Sequence, residues 1–147
     1  MNPLMNSPGL RRCAGYLGVA ALAAVLGWSG AAKLGDLEAF AAAVTGFRLA
    51  GGAVARGVAY YVPWLELVLA AGMLLPRWRA GALLVAAWLF TGFAGLWAIT
   101  WLRGLEVACG CFGGSEEVST GWALARAGVL AVAAWVTWRE MRRAPAG

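Results

Sequence analysis

Long apolar stretches constrain the fold of this chain more than any other feature. Four of them run for about 20 residues, namely 13–32, 57–76, 80–102 and 118–138. The first and third are uncharged, the second carries only Glu66, and the fourth carries only Arg126. A helix needs about 20 mostly apolar residues to cross a bilayer. The sequence therefore predicts an all-α bundle of four transmembrane helices, with residues 1–147 as a single membrane domain.

The composition agrees with a membrane protein and excludes several functions. Hydrophobic residues make up 62% of the chain and charged residues 13%, against roughly a quarter charged in soluble domains. The chain has no histidine, so the usual general base and the commonest metal ligand are missing. The net charge of +5 does not indicate nucleic acid binding, because the arginines punctuate apolar runs instead of clustering on a polar face.

The first apolar stretch follows Arg11 and Arg12, as a signal peptide core would. It is longer than the 7–15 residues usual for such a core. We therefore expect a retained transmembrane helix.

A short helix is predicted between the first two spans. Apolar residues recur there at helical spacing, at Leu34, Leu37, Phe40, Ala41, Val44 and Phe47. Asp36 is a candidate N-cap, and Gly51 with Gly52 a candidate end. Lys33, placed in this segment, and Arg48 help to make it too polar to span. We expect it at the membrane interface or over the bundle mouth, with a plain surface helix as the alternative.

The distribution of lysine and arginine predicts the orientation. Seven of these residues flank the helices on one side: Arg11, Arg12, Arg77, Arg79, Arg139, Arg142 and Arg143. Four lie on the other side: Lys33, Arg48, Arg56 and Arg103. The positive-inside rule then places both termini in the cytoplasm of a bacterium and the loop after the third span outside its inner membrane.

That outer loop contains Cys109-Gly110-Cys111 in the segment CGCFGG. Disulfides form and persist in an oxidising compartment, and one closed across a single glycine departs from relaxed geometry and is easier to reduce. Gly110 suits the unusual dihedral angles of so small a ring. The pattern favours a redox pair, with Cu(I) binding and two inert, packed cysteines as alternatives. A closed zinc site would need about four ligands, which this loop does not offer. We therefore assign no metal ligands and keep Cu(I) binding only as the alternative.

Charged residues within or beside the spans form a second candidate group. A carboxylate in the middle of a span, such as Glu66, is costly and marks a functional site by default. We predict that Glu66 pairs with Arg126 or Lys33, and that Arg103 adds to this polar cluster beneath the cysteine loop. A nearby cation would favour a thiolate. A purely structural ion pair is the alternative.

Several segments together carry a family resemblance: GAAKLGDLEAFAAAVTGFRL, VPWLE, RGLEVACGCFGGSEEVS and ALAR, in this order across residues 27–138. On them the chain resembles the MauE/DoxX-like family of small redox-associated membrane proteins. The CGCFG block is the most specific of these pieces.

The resemblance implies a four-helix inner-membrane protein of periplasmic disulfide chemistry, with Cys109 and Cys111 as the redox pair. It also implies a thioredoxin-like partner and a disulfide-bearing client protein. On this hypothesis the protein is a thiol–disulfide oxidoreductase. The alternatives are a non-catalytic membrane scaffold for a maturation complex and a Cu(I)-handling protein. The aromatic spans could host a quinone, but no motif indicates one.

Overall fold

The computed structural model describes residues 8–48, 51–104 and 119–143. It contains five helices in this part of the chain: α1 (Pro8–Gly35), α2 (Leu37–Gly46), α3 (Gly52–Leu74), α4 (Arg79–Leu102) and α5 (Thr120–Arg143). Cys109 and Cys111 lie outside the described residues. The prediction of an all-α fold is confirmed.

Four of the described helices, α1, α3, α4 and α5, are long and apolar enough to cross a membrane, and α2 is short and apolar. The four predicted spans and the short helix between the first two are therefore confirmed. Large side chains such as Trp64, Trp88 and Val129 point outward and are exposed. Burial of apolar surface drives folding, and lipid is the environment that covers these outward faces.

The helices extend beyond the apolar stretches from which they were predicted. α1 begins at Pro8 and runs past Lys33 to Gly35, and α5 continues to Arg143. A charged residue ends the part of a helix that can lie in hydrocarbon, but it does not end the helical backbone. The placement of Lys33 outside the first helix was therefore wrong, since this residue lies in the last turn of α1.

Small residues allow the long helices to approach one another. A Cβ atom added to Gly30 on α1 would lie 2.8 Å from the Pro63 carbonyl oxygen on α3. One added to Gly18 would lie 2.5 Å from Oγ1 of Thr137 on α5. Real Cβ atoms do not approach other atoms so closely, so these two glycines set the spacing of α1 from its neighbours.

Contacts at the two ends of the bundle show which segments lie together. At one end, Arg11 of α1 reaches Glu140 of α5 at 3.6 Å, and Arg79 lies over the Tyr16 ring. At the other end, Nη1 of Arg103 donates a hydrogen bond of 3.4 Å to the Phe47 carbonyl oxygen. The chain therefore alternates between the ends in the order that the four-span prediction requires.

The boundaries of α2 confirm one prediction and correct another. The Asp36 side chain caps the helix, accepting a hydrogen bond from the Ala39 backbone nitrogen at 3.0 Å. The prediction that Gly51 and Gly52 end α2 was wrong, because α2 ends at Gly46 and Gly51 is the N-cap of α3. Arg48 takes a left-handed backbone conformation, with φ of 51°, so the helical path is already broken before the two glycines.

Candidate functional site

A buried ion pair joins α1 to α3. Nζ of Lys33 lies 2.5 Å from Oε1 of Glu66, and both side chains are only 2% exposed. The predicted pairing of Glu66 is thus confirmed, with Lys33 as the partner. Ions leave water at a large cost, which is recovered only when the geometry is close and other hydrogen bonds are made.

Ser29 is a third member of this group and was not predicted from the sequence. Lys33 donates a hydrogen bond of 2.8 Å to Oγ of Ser29, which in turn donates to Oε1 of Glu66 at 3.4 Å. The available signal was spacing, because residues four apart on a helix share a face. A serine in an apolar span gives a much weaker signal than a charge.

The backbone explains why the pair meets at this level. Gly30 lies one turn before Lys33 on α1 and contacts the backbone at Pro63, three residues before Glu66 on α3. The close approach at Gly30 brings the axes near enough for the lysine to reach the carboxylate. Pro63 lacks a backbone N–H, so the helical carbonyl one turn earlier loses its usual donor.

Aromatic rings enclose the lysine on its other sides. Nζ of Lys33 lies 5.2 Å from the centroid of Phe40 on α2 and 5.5 Å from that of Phe93 on α4. A cation within about 6 Å of a ring is attracted to its electron-rich face. α2 therefore covers the pair, and its buried Phe40 helps to hold Lys33 away from solvent.

A cavity of about 50 Å³ adjoins the ion pair. Its walls come from α1, α3, α4 and α5, and they are Val25, Ser29, Lys33, Glu66, Phe90, Phe93, Trp97, Ala123, Arg126, Ala127 and Leu130. Polar side chains line one part of this space, and aromatic and aliphatic side chains line the rest. The cavity is the place where all four long helices meet the polar cluster, which we define as Ser29, Lys33 and Glu66.

The other two charged residues of the sequence prediction have different places. Arg126 lines the same cavity as the polar cluster. Arg103 is not among the lining residues and instead bonds to the Phe47 carbonyl, between the end of α4 and the end of α2. Phe47 also stacks edge-to-face on Trp97, with 5.0 Å between the ring centroids.

One oxygen of the cluster is left over. Oε1 of Glu66 takes both hydrogen bonds, while Oε2 is buried and has no partner among the described residues. Buried polar atoms are nearly always hydrogen-bonded, so such an exception needs an explanation. The cluster can thus hold α1 to α3 and still offer an acceptor.

The described part of the chain contains one cysteine, Cys13. Cys13, near the start of α1, is a free and exposed thiol there. The two candidate redox residues, Cys109 and Cys111, follow the end of α4 in the sequence and are among the residues not described.

Comparison with known proteins supplies the family. The family described as methylamine utilisation protein MauE matches residues 12–139, which include nearly all of the five helices. The chain belongs to the MauE family. Together with the four apolar helices, this makes it a multi-pass membrane protein, and the MauE part of the expected resemblance is confirmed.

Two curated relatives carry the same description. The chain is 37% identical to methylamine utilization protein MauE of Paracoccus versutus over 111 residues, which are 74% of this chain and 60% of the relative. It is 33% identical to the protein of that name from Paracoccus denitrificans over 93 residues, 63% of this chain and 50% of the relative. The chain thus aligns with between half and three fifths of these relatives. No solved structure matches it.

Proposed function

We propose that this protein is an inner-membrane component of a thiol–disulfide redox system, in which Cys109 and Cys111 exchange with a thioredoxin-like partner outside the cytoplasm. The exchange supports disulfide formation in, or maturation of, a client protein. The observation that carries the proposal is the Cys-Gly-Cys sequence between α4 and α5 in a member of the MauE family. The names of its relatives make methylamine utilisation the first process to test.

The exchange step follows from the chemistry of a strained small-ring disulfide. A thiolate of the partner or client attacks one sulfur of the Cys109–Cys111 bond, a mixed disulfide forms, and the second cysteine leaves as a thiolate. A second incoming thiolate resolves the mixed disulfide, so two electrons pass to the pair, and protons are taken up by whichever thiolates become thiols. The reverse sequence reoxidises the pair at the expense of a partner disulfide. Since the chain has only this closely spaced pair, the partner supplies the second dithiol.

The frame around the cysteine segment supports this role. The segment connects the end of α4 to the start of α5, and at that level Trp97 of α4 packs with Ala123 and Ala127 of α5. Arg103 ties the end of α4 to the carbonyl of Phe47. Packing of this kind joins the helix ends that flank the reactive loop, and such support by packed helices is what a functional site requires.

The charges around the loop bear on thiolate formation. Arg103 precedes Cys109 by six residues and Arg126 lies on α5, both on the cysteine side of the bundle. A cation nearby lowers the cost of a thiolate, which is the reactive form. Glu106, Glu116 and Glu117 act in the opposite sense. We assign the arginines to this electrostatic role and the Lys33–Glu66 pair to holding the helices.

The orientation is part of the proposal. The segments that share one end of the bundle carry seven of the lysines and arginines, and we place that end in the cytoplasm by the positive-inside rule. Both termini are then cytoplasmic and the cysteine loop faces the oxidising side. Cysteine labelling from outside intact cells, after reduction of disulfides, tests this directly: Cys109 and Cys111 react, whereas Cys13 does not.

The experiment that tests the redox role is acid-quenched alkylation of the protein in intact cells. Cys13 is replaced by Ser, so that the mass shift reports only Cys109 and Cys111. We expect a mixture of oxidised and reduced protein that moves with added oxidant or reductant. A pair that stays reduced whatever is added would overturn the proposal.

Two further measurements separate the rival functions. A Cys111→Ser or Cys109→Ser variant should trap a mixed disulfide with the partner, identifiable by mass spectrometry, and the double serine variant should stop client maturation. If the double variant still supports maturation, the protein is a scaffold. Copper that co-purifies with the wild type and is lost from the double variant would instead indicate Cu(I) handling.

A further inference from the structure

The Glu66 carboxylate has one oxygen that lacks a hydrogen-bond partner among the described residues. Glu66 is 2% exposed, and its Oε1 atom accepts from both Lys33 and Ser29. Its Oε2 atom is buried without a hydrogen bond in the described part of the chain. Glu66 also lines the cavity between the four long helices. A buried carboxylate oxygen beside a cavity points to a ligand that donates a hydrogen bond.

The size of the cavity restricts that ligand. Its volume is about 50 Å³, whereas a water molecule needs roughly 10–15 Å³ of such space, and a cavity of about 150 Å³ holds benzene. This space holds a few water molecules.

Charge restricts the ligand further. Among the described residues, the cavity wall has two cationic side chains, Lys33 and Arg126, and one anionic side chain, Glu66. A cation at Oε2 would lie beside the Lys33 ammonium, which already neutralises the carboxylate. An anion would face the lone pairs of Oε2. A neutral molecule that both donates and accepts hydrogen bonds satisfies the carboxylate and the ammonium at once.

We propose that this cavity is a hydration site of the polar cluster, in which water donates a hydrogen bond to Oε2 of Glu66 and accepts one from Lys33. Buried waters typically make about three hydrogen bonds to polar groups that otherwise lack partners. The bound water extends the polar cluster into the cavity. This hydration site does not depend on the proposed redox function.

Radiolytic footprinting tests the site. X-rays generate hydroxyl radicals from water, including buried water, and mass spectrometry then locates the oxidised side chains. Trp97 lines the cavity and is only 3% exposed, whereas Met73 is 0% exposed in the apolar core. Although methionine is the more reactive side chain, we expect clear oxidation of Trp97 in the full-length protein in nanodiscs and almost none of Met73. Equal protection of both would overturn the proposal.

Two matched variants show whether the oxidation of Trp97 depends on the space in the cavity. Ala127 lines the cavity, and Ala131, one turn further along α5, lies in the apolar core; both are 8% exposed. Ala127→Val should reduce the oxidation of Trp97 several-fold, and Ala131→Val should leave it unchanged.

Glu66→Met keeps the length of the side chain and removes its oxygens. We expect Glu66→Met to reduce the oxidation of Trp97 as Ala127→Val does, but by releasing the water and not by covering the Trp97 ring. Undiminished oxidation in Glu66→Met would show that the carboxylate does not hold the water, and the assignment would fall. Circular dichroism of each variant confirms that the helices are formed before the oxidation is compared.

Discussion

Removing one partner of the Lys33–Glu66 pair should destabilise the protein far more than removing both. Lys33→Met replaces the ammonium with an apolar chain of similar size and leaves the Glu66 carboxylate buried without its cation. Breaking a buried ion pair in this way costs about 3–5 kcal/mol, whereas replacing the whole pair by packed apolar residues is often neutral or stabilising by about 1–4 kcal/mol.

The structure places the single variants toward the lower end of that range. Ser29 still donates to Oε1 of Glu66 after the lysine is lost, and the proposed water remains at Oε2. The unfolded chain in a membrane-like solvent also finds partners for its polar groups. We therefore expect Lys33→Met to cost about 3 kcal/mol, and the Lys33→Met/Glu66→Met double variant to lie within about 1 kcal/mol of the wild type or above it.

The assay is reversible unfolding in mixed micelles with a rising fraction of dodecyl sulfate. The nine tryptophans give a strong fluorescence signal, and circular dichroism follows the helices in parallel. Arg11→Met is the matched control, because the Arg11–Glu140 pair is half exposed on its arginine side and exposed pairs contribute only about 0–1 kcal/mol.

Two results would refute this reasoning. If Lys33→Met costs no more than Arg11→Met, the pair is not desolvated as its burial indicates. If the double variant is as unstable as the singles, the loss arises from packing of the side chains and not from an uncompensated charge.

Three further predictions follow from single contacts. Gly30→Ala would force a methyl group against the Pro63 carbonyl and should cost about 1–3 kcal/mol of unfolding free energy, measured in the same micelles. Gly92→Ala, where the structure leaves open space, should cost nothing or stabilise by up to about 1 kcal/mol through helix propensity. An equal loss of stability in Gly30→Ala and Gly92→Ala would show that contact with the Pro63 carbonyl is not the cause. Asp36→Ala removes the cap on α2 and should cost about 0.5–2 kcal/mol, with faster amide exchange at Ala39 as the local readout.

Part of the candidate site was predictable from charge alone. A carboxylate in an apolar span demands a partner, so Glu66 could be paired with Lys33 or Arg126 before the fold was known. The choice between them was not predictable, because it depends on how closely α1 approaches α3. Ser29 gave too weak a signal, and the aromatic side of the site, with Phe40 and Phe93 over Lys33, brings together three helices.

The two ends of the short helix α2 also differ in whether the sequence predicted them. Asp36 was predictable as a cap because a capping side chain bonds to a backbone N–H only a few residues away. The end of α2 was mispredicted at Gly51 and Gly52, since the conformation that breaks the helix occurs at Arg48, a residue type that does not favour it. Local chemistry fixed the start, and the surrounding structure fixed the end.

The sequence by itself determined that this chain forms four membrane-spanning helices, because a run of about 20 apolar residues has one stable arrangement in hydrocarbon, with its backbone hydrogen bonds made within the helix. Only the tertiary structure decided that Lys33 lies inside the bundle, that it takes Glu66 as its partner, and that Arg126 reaches the same cavity. The physical reason is that the charge of a side chain follows from the identity of one residue. Its burial and its partner depend instead on the distances between helices. Small residues such as Gly30 set these distances by letting backbones touch.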